Sequence, residues 1–258
     1  MNIELQKNKV ALITGSSRGI GRSIVEKLVT QGINVFGIHC SNDEESAREV
    51  SNVVISSGGE AILLKCDFSE EVEERTDLLV NDFMGKIAAL GLDKVDILVN
   101  CAGIAPQATI YETSHDLYRK VFSINVETPL FLTKAIIPHM KEGGRIINIS
   151  TALTRVSAPE RILYAMSKGA INTFTLALAK ELGAKKITVN AVAPGVIDTD
   201  MNSGWLNEGN AREFAGDLSV FSRVGTGYDV ASVVNFLASK DASWITGQVI
   251  DVSGGSCI

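Results

Sequence analysis

Proline is scarce in this chain of 258 residues: there are 5, against 23 glycines. So few rigid breaks leave room for long regular elements, with glycine supplying the tight backbone points between them. No run of about 18 apolar residues occurs, so no segment is expected to span a bilayer as a helix. The opening stretch Met1-Asn2-Ile3-Glu4-Leu5-Gln6-Lys7-Asn8-Lys9 lacks the apolar core of a signal peptide, and the expectation is a cytoplasmic protein. Cysteine is confined to Cys40, Cys66, Cys101 and Cys257, with no CxxC pair, and His39, His115 and His139 are scattered. A zinc site needs clustered ligands, so no metal is expected, and the thiols read as reduced and mostly buried. An excess of positive charge is also missing: 24 basic against 30 acidic residues gives −6. That balance opposes nucleic-acid binding but leaves space for a local basic pocket around a phosphorylated cofactor.

What remains is an ordinary globular composition, 45% apolar and 21% charged, with enough chain for a sizeable core. Short apolar runs alternate with helical stretches. Val10 to Ile13, Asn34 to Ile38, Ala61 to Lys65, Val95 to Val99, Arg145 to Ile149, Ile187 to Val192 and Gln248 to Val252 read as seven strands. Helical stretches run from about Ile20 to Gln31, Glu44 to Ser57 and Glu70 to Ala89. Continuous Val/Ile/Leu runs suit strands buried on both faces, and their alternation with helices implies right-handed βαβ units. The expected fold class is therefore α/β, a Rossmann-like doubly wound sheet of seven mostly parallel strands with helices on both faces. No linker divides the chain, which reads as one domain over 1–258. The polar stretch from Met201 to Gly216, with apolar anchors Trp205, Leu206 and Phe214, fits a mobile flap spanning about 199–222.

Thr14-Gly15-Ser16-Ser17-Arg18-Gly19-Ile20-Gly21 follows the first strand and opens the first helix. Gly15 permits the tight turn, Gly19 lets the backbone approach a pyrophosphate, and Gly21 lets helix and strand pack closely. The helix start then offers free N–H groups and the positive end of the dipole. Tyr164-Ala165-Met166-Ser167-Lys168 places a phenol and an ammonium four residues apart, on one face if helical. A neighbouring cation lowers the phenol pKa from about 10 and makes it a usable acid/base. Thr151, preceded by Ser150, lies thirteen residues before Tyr164 at the end of a strand. Asn125 lies in a further helical stretch. Asn100-Cys101-Ala102-Gly103 and Pro194-Gly195-Val196-Ile197-Asp198-Thr199 end two other strands, where open α/β sheets bind ligands.

On these residues the chain resembles single-domain short-chain dehydrogenase/reductases, essentially from end to end. The resemblance includes Ile245-Thr246-Gly247 and Asp251-Val252-Ser253-Gly254-Gly255. It implies hydride transfer between nicotinamide and a carbonyl or alcohol. Tyr164 would be the general acid in reduction. Lys168 would lower its pKa and bind the nicotinamide ribose, and Asn125 would hold a water in a relay to Lys168. Ile197 and Thr199 would grip the carboxamide, Asn100 would tie strands together, and Ala102 and Gly103 would line the cofactor groove with Pro194 and Gly195. Two departures stand out: the catalytic serine position is Thr151, with Ser150 as an alternative hydroxyl, and Cys101 replaces an asparagine.

NAD-specific sites carry an acid at the end of the second strand. Here the position falls on His39 or Cys40, while Arg18 is placed for a 2′-phosphate, with Ser41 and Asn42 as added neutral donors and Ser17 as a further cofactor contact. NADPH is therefore the expected cofactor, with NADH as the alternative, and Asp67 and Phe68 match the family's adenine-contacting pair. The pattern is closest to 3-oxoacyl-[acyl-carrier-protein] reductases of fatty-acid synthesis, through Gly144 to Ser150 and Asn190 to Met201. That implies a small-molecule carbonyl or alcohol substrate, with acyl carrier protein as a candidate partner. Lys185 and Lys186 would suit an acidic carrier; Glu142 would repel it. A coenzyme A thioester, sugar, cyclic alcohol or polyketide-type ketone fits equally. The competing readings are an alcohol dehydrogenase and a non-catalytic cofactor-binding protein. The resemblance also implies a homotetramer or homodimer, packing helices such as Glu112 to Ala135 and Arg161 to Leu182 against their copies.

Overall fold

The structure is a computed structural model that describes residues 9–256. Cys257 and residues 1–8, most of the stretch read for a signal peptide, lie outside the described residues. The main sheet comprises β1 (Val10–Ile13), β2 (Val35–Cys40), β3 (Glu60–Lys65), β4 (Val95–Asn100), β5 (Met140–Ile149), β6 (Thr188–Pro194) and β9 (Val249–Val252). Their order is β3-β2-β1-β4-β5-β6-β9, and every pairing is parallel. The chain winds outward from β1 in one direction and from β4 in the other. The ends of β1 and β4 therefore flank the crevice where such sheets take ligands.

β1 explains why the strands read as unbroken apolar runs. All four of its residues are fully buried. Ala11 and Ile13 join a core with Ile24, Val25 and Leu28 of α1 (Gly19–Val29) and Val234 of α9 (Gly227–Ala238). Val10 and Leu12 join a second core with Phe83 of α3 (Val72–Ala89) and Leu132 of α5 (Thr128–Ile136). Helices thus cover both faces, as a parallel sheet requires. Among the described residues, no helix is long and apolar enough to cross a membrane. Among the same described residues, no group of three or more His, Cys, Asp or Glu could hold a metal ion.

Several expected elements differ. The stretch expected as one helix from Glu112 to Ala135 is α4 (His115–Phe122), a π-helical turn (Ser123–Glu127) and α5. Pro129 has no N–H to give the Asn125 carbonyl four residues back, and Thr128 N bonds Ser123 O, five residues back. The helix therefore widens around Asn125 instead of running through. The fifth strand begins at Met140, not Arg145, with a register shift between Val95 and Ile97 of its neighbour. The segment expected as a polar flap contains two short helices, α7 (Asp200–Leu206) and α8 (Ala211–Asp217). A small second sheet joins β7 (Ile197–Asp198) to β8 (Gly225–Thr226) and brackets that segment. The remaining helices are α2 (Glu44–Ser56) and α6 (Ile162–Leu182).

Candidate active site

The glycine loop is fixed by contacts that no side chain could share. Gly15 has φ +63°, and a Cβ there would lie 2.8 Å from Ala102 Cα. A Cβ on Gly21 would lie 2.1 Å from Gly15 O. Thr14 locks the loop to β4: its Oγ1 accepts from both Cys101 N and Ala102 N at 3.0 Å. Gly19, at φ +54°, faces Thr199, whose Cβ would lie 3.4 Å from an added methyl. The loop and the residues after β6 therefore lie against each other at the start of α1. Ile20 and Gly21 begin α1, whose first turn carries no acidic residue to oppose an anion.

His39 braces this loop from below. Its Nδ1 accepts from Gly15 N at 2.9 Å, which leaves Nε2 to carry the proton and donate to Cys66 O at 3.0 Å. The ring stacks on Phe68 with centroids 4.7 Å apart. Burial pushes its pKa down to about 4, so it is neutral at physiological pH. β2 ends at Cys40, and neither candidate position supplies an acid. Arg18 is exposed and acts electrostatically on Asp43, but no ion pair occupies it among the described residues. Ser17 is buried beside it, and the Ser41 hydroxyl bonds Asn42. The Phe68 ring is committed to His39, so an adenine would meet Asp67 and the Phe68 main chain, not the ring. Asn100 likewise turns away from the groove. Its amide donates to Asn148 Oδ1 at 2.8 Å and Thr133 Oγ1 at 3.2 Å, tying β4 to β5 and α5.

At the centre, the ends of β4 and β5 meet α6. Lys168 is buried and donates to Ile149 O at 2.7 Å, with Nζ 5.9 Å from the Tyr164 ring centroid. Burial lowers the Lys168 pKa to about 8. Leu153 N donates to Thr151 Oγ1 at 3.3 Å, leaving the hydroxyl hydrogen free to donate onward. Burial raises the Tyr164 pKa; the neighbouring Thr151 hydroxyl and the Arg161 charge oppose that rise. Ser150 is engaged elsewhere: its hydroxyl bonds Asn172 Oδ1 at 2.6 Å. Thr151, not Ser150, stands beside the phenol. Cys101 faces Lys168, and burial pushes its thiol up to about 12, so it is a neutral wall. Cys40, Cys66 and Cys101 are free.

Asn125 is wholly buried, and its side chain is fully used. Its amide oxygen accepts from Ile104 N at 2.9 Å, and its nitrogen donates to Ile104 O at 2.9 Å and Ser167 Oγ at 3.0 Å. The side chain therefore fastens the loop after β4 to α6. Gly103 fits between them: an added Cβ would lie 3.3 Å from Asn125 Oδ1 and 3.5 Å from Lys168 Nζ. Pro194 and Gly195 close the far wall, where Gly195 packs on Ser253. The local sequence gives no sign of His39 as a brace, because Gly15 and Cys66 lie 24 and 27 residues away, nor of Arg161, three residues before the phenol, whose anchor Ala105 is 56 residues away.

A glycine loop opening α1 and a Tyr–Lys pair with an adjacent hydroxyl are the elements a nicotinamide-type oxidoreductase site would need. The family model described as Enoyl-(Acyl carrier protein) reductase matches residues 15–256. The chain is 37% identical to a probable tetrahydroxynaphthalene reductase of Zymoseptoria tritici, over 97% of this chain and 95% of that protein. It is 38% identical to versicolorin reductase of Emericella nidulans, over 96% and 95%. Among solved structures, the angucycline C-6 ketoreductase LanV with bound NADP superposes with a TM-score of 0.90, at 38% identity over 96% and 95%. The chain belongs to the short-chain dehydrogenase/reductase family of oxidoreductases.

Proposed function

We propose that the protein reduces a ring ketone of polyketide type with NADPH, Tyr164 delivering the proton. The observation that carries this reading is the Thr151 hydroxyl, which accepts from Leu153 N–H and keeps its hydrogen free beside the Tyr164 phenol, with the Lys168 ammonium beside the ring. Relatives named as naphthalene and versicolorin reductases support the substrate class. So does the exposed apolar surface on and beside the 199–222 segment, where Met201, Phe214, Val220 and Phe221 are all at least half exposed. The fatty-acid reading has less support: Lys186, one of the two lysines suited to an acidic carrier, is paired with Glu142 at 2.6 Å.

The residues present fit NADPH, which supplies a hydride when bound. Gly15, Gly19, Ile20 and Gly21 would hold the pyrophosphate. Ser17, Arg18 and Ser41 would meet the 2′-phosphate, with no carboxylate at the end of β2 to repel it. Asp67 and the Phe68 main chain would flank the adenine. Ala102, Gly103, Pro194, Gly195, Ile197 and Thr199 would line the nicotinamide half, and Lys168 and Tyr164 its ribose. Thr151 then holds the substrate oxygen while Tyr164 Oη donates its proton to it. The phenolate left behind is stabilised by Thr151 and Lys168. The Asn125 carbonyl, which Pro129 cannot partner, is the seat of a relay water toward Lys168. The 199–222 segment closes over the substrate within a single domain. The same reading includes a homotetramer or homodimer, which would cover Trp244, Tyr111 and Leu176, now 98%, 96% and 63% exposed.

The test is NADPH oxidation with a hydroxylated 1-tetralone and, in parallel, acetoacetyl-coenzyme A. Turnover of the tetralone is expected, with Tyr164→Phe losing about 10²–10⁴-fold while still binding NADPH. Turnover of the thioester alone would overturn the ring-ketone reading, and full activity in Tyr164→Phe would overturn the mechanism.

A further inference from the structure

Arg161 stands one residue before α6 and one helical turn before Tyr164, so both side chains lie toward the same face. Its guanidinium Nη1 donates to Ala105 O, in the loop after β4 that Asn125 also fastens. A parallel bridge joins Ala108 to Arg161, and Ala108 N donates to Glu160 O at 2.9 Å. The loop after β4 and the loop before α6 are thus stitched into one wall beside the catalytic phenol. The guanidinium is half-buried in that wall, and among the described residues no carboxylate forms an ion pair with it. Glu160, its chain neighbour, acts on it only through space. An arginine held this way is a fixed positive charge that neither titrates nor is cancelled by a paired anion.

We propose that Arg161 is a positioning residue for proton transfer, a second cation that sets the field in which Tyr164 ionises. The inference rests on Tyr164 being the acid/base group. The groups acting on that phenol are Thr151 just after β5, Cys101 just after β4, Lys168 of α6 and Arg161 at the N-cap of α6. Thr151 and Cys101 are uncharged at neutral pH, and Lys168 loses its charge as pH rises through about 8. Above that pH, Arg161 is the one permanent cation of the four. The phenolate left by proton transfer keeps a charged neighbour there, and Arg161 holds the midpoint of the phenol below where burial alone would put it.

The experiment is an ultraviolet difference titration of the cofactor-free enzyme, with Tyr164→Phe subtracted to isolate this phenol. It compares the wild type with Arg161→Gln, Arg161→Met and Arg161→Lys. Both neutral variants should raise the Tyr164 midpoint by about one unit, the order by which a neighbouring opposite charge shifts a pKa. The lysine variant should restore the wild-type midpoint while losing the fork that grips Ala105. Met, with its long apolar stem, keeps the comparison available if Gln disturbs folding. The pH profile of NADPH-dependent turnover should move by the same amount. An unshifted midpoint in a folded neutral variant would overturn the proposal, as would a lysine variant that titrates like the neutral ones. The titration needs no substrate. A wrong substrate class would therefore appear as absent turnover with the midpoint shift intact, separate from failure of this inference.

Discussion

The two halves of the active-site cleft are built by different means. The cofactor side is specified by single atoms. Gly15 and Gly21 admit no Cβ, Thr14 bonds two consecutive amides, and His39 is pinned between Gly15 N and Cys66 O. The substrate side is assembled from short helices and loops, with large apolar side chains exposed on α7, α8 and the segment after them. Gly204 and Gly209 there meet nothing within 4 Å. A shared cofactor demands one backbone geometry, while substrate choice needs a surface free to vary. The cleft divides its tolerance to change accordingly.

The sharpest break should come at Gly21. Gly21→Ala would drive a methyl into Gly15 O, and we expect a loss of at least ~3 kcal/mol in stability, together with NADPH binding. Denaturant melts and a fluorescence titration with NADPH would measure both. An undisturbed variant would mean the loop is looser than its contacts indicate.

The His39 brace should give the next largest effect, and it depends on pH. Its folded pKa, about 4, lies below the unfolded value of about 6.5. The unfolded chain therefore binds more protons between those values. The stability is fully present above about 6.5 and falls as pH drops toward 4, by on the order of 3 kcal/mol from this group. His39→Asn should remove that part of the acid loss in melts at pH 7 and 4.5. Equal acid sensitivity in the variant would assign the loss elsewhere.

Arg18→Gln should act on cofactor choice more than on stability. The KM for NADPH should rise about tenfold with that for NADH unchanged. A parallel rise for both would make Arg18 a general phosphate contact. The smallest effect is expected on the substrate side. Gly204→Ala, in open space within α7, should stabilise by ~0.5–1 kcal/mol and leave NADPH binding untouched. Destabilisation there would show that the substrate side is as tightly specified as the cofactor side.

What could be read from the sequence follows the same division. The seven strands, the glycine loop and the Tyr164–Lys168 spacing were legible because each depends on residues within about one turn or one strand. Strand alternation favoured Thr151 over Ser150 but left the choice open. His39 was noticed only as a missing acid, because its function lies in Gly15 and Cys66, 24 and 27 residues away. Arg161 escaped notice because its partner, Ala105, is 56 residues distant. The short helices α7 and α8 were hidden in a polar stretch punctuated by Gly204 and Gly209, whose local propensity opposes helix. The break around Asn125 carried a signal in Pro129, but periodicity alone runs straight through it.

That widened turn also governs how the chain can change in length. The π-helical stretch Ser123–Glu127 holds a surplus residue between α4 and α5. Each residue of a regular helix advances the chain by roughly 100°. Deleting any one of these five would restore an ordinary ladder and wind α4 around by about that angle relative to α5. Val121, fully buried now, would leave its core, and Asn125 would lose its hold on Ile104 and Ser167. Single replacements elsewhere on the helix can be absorbed side chain by side chain. A one-residue deletion here would uncouple the sheet's loop from α6, so this turn is where the chain cannot shorten.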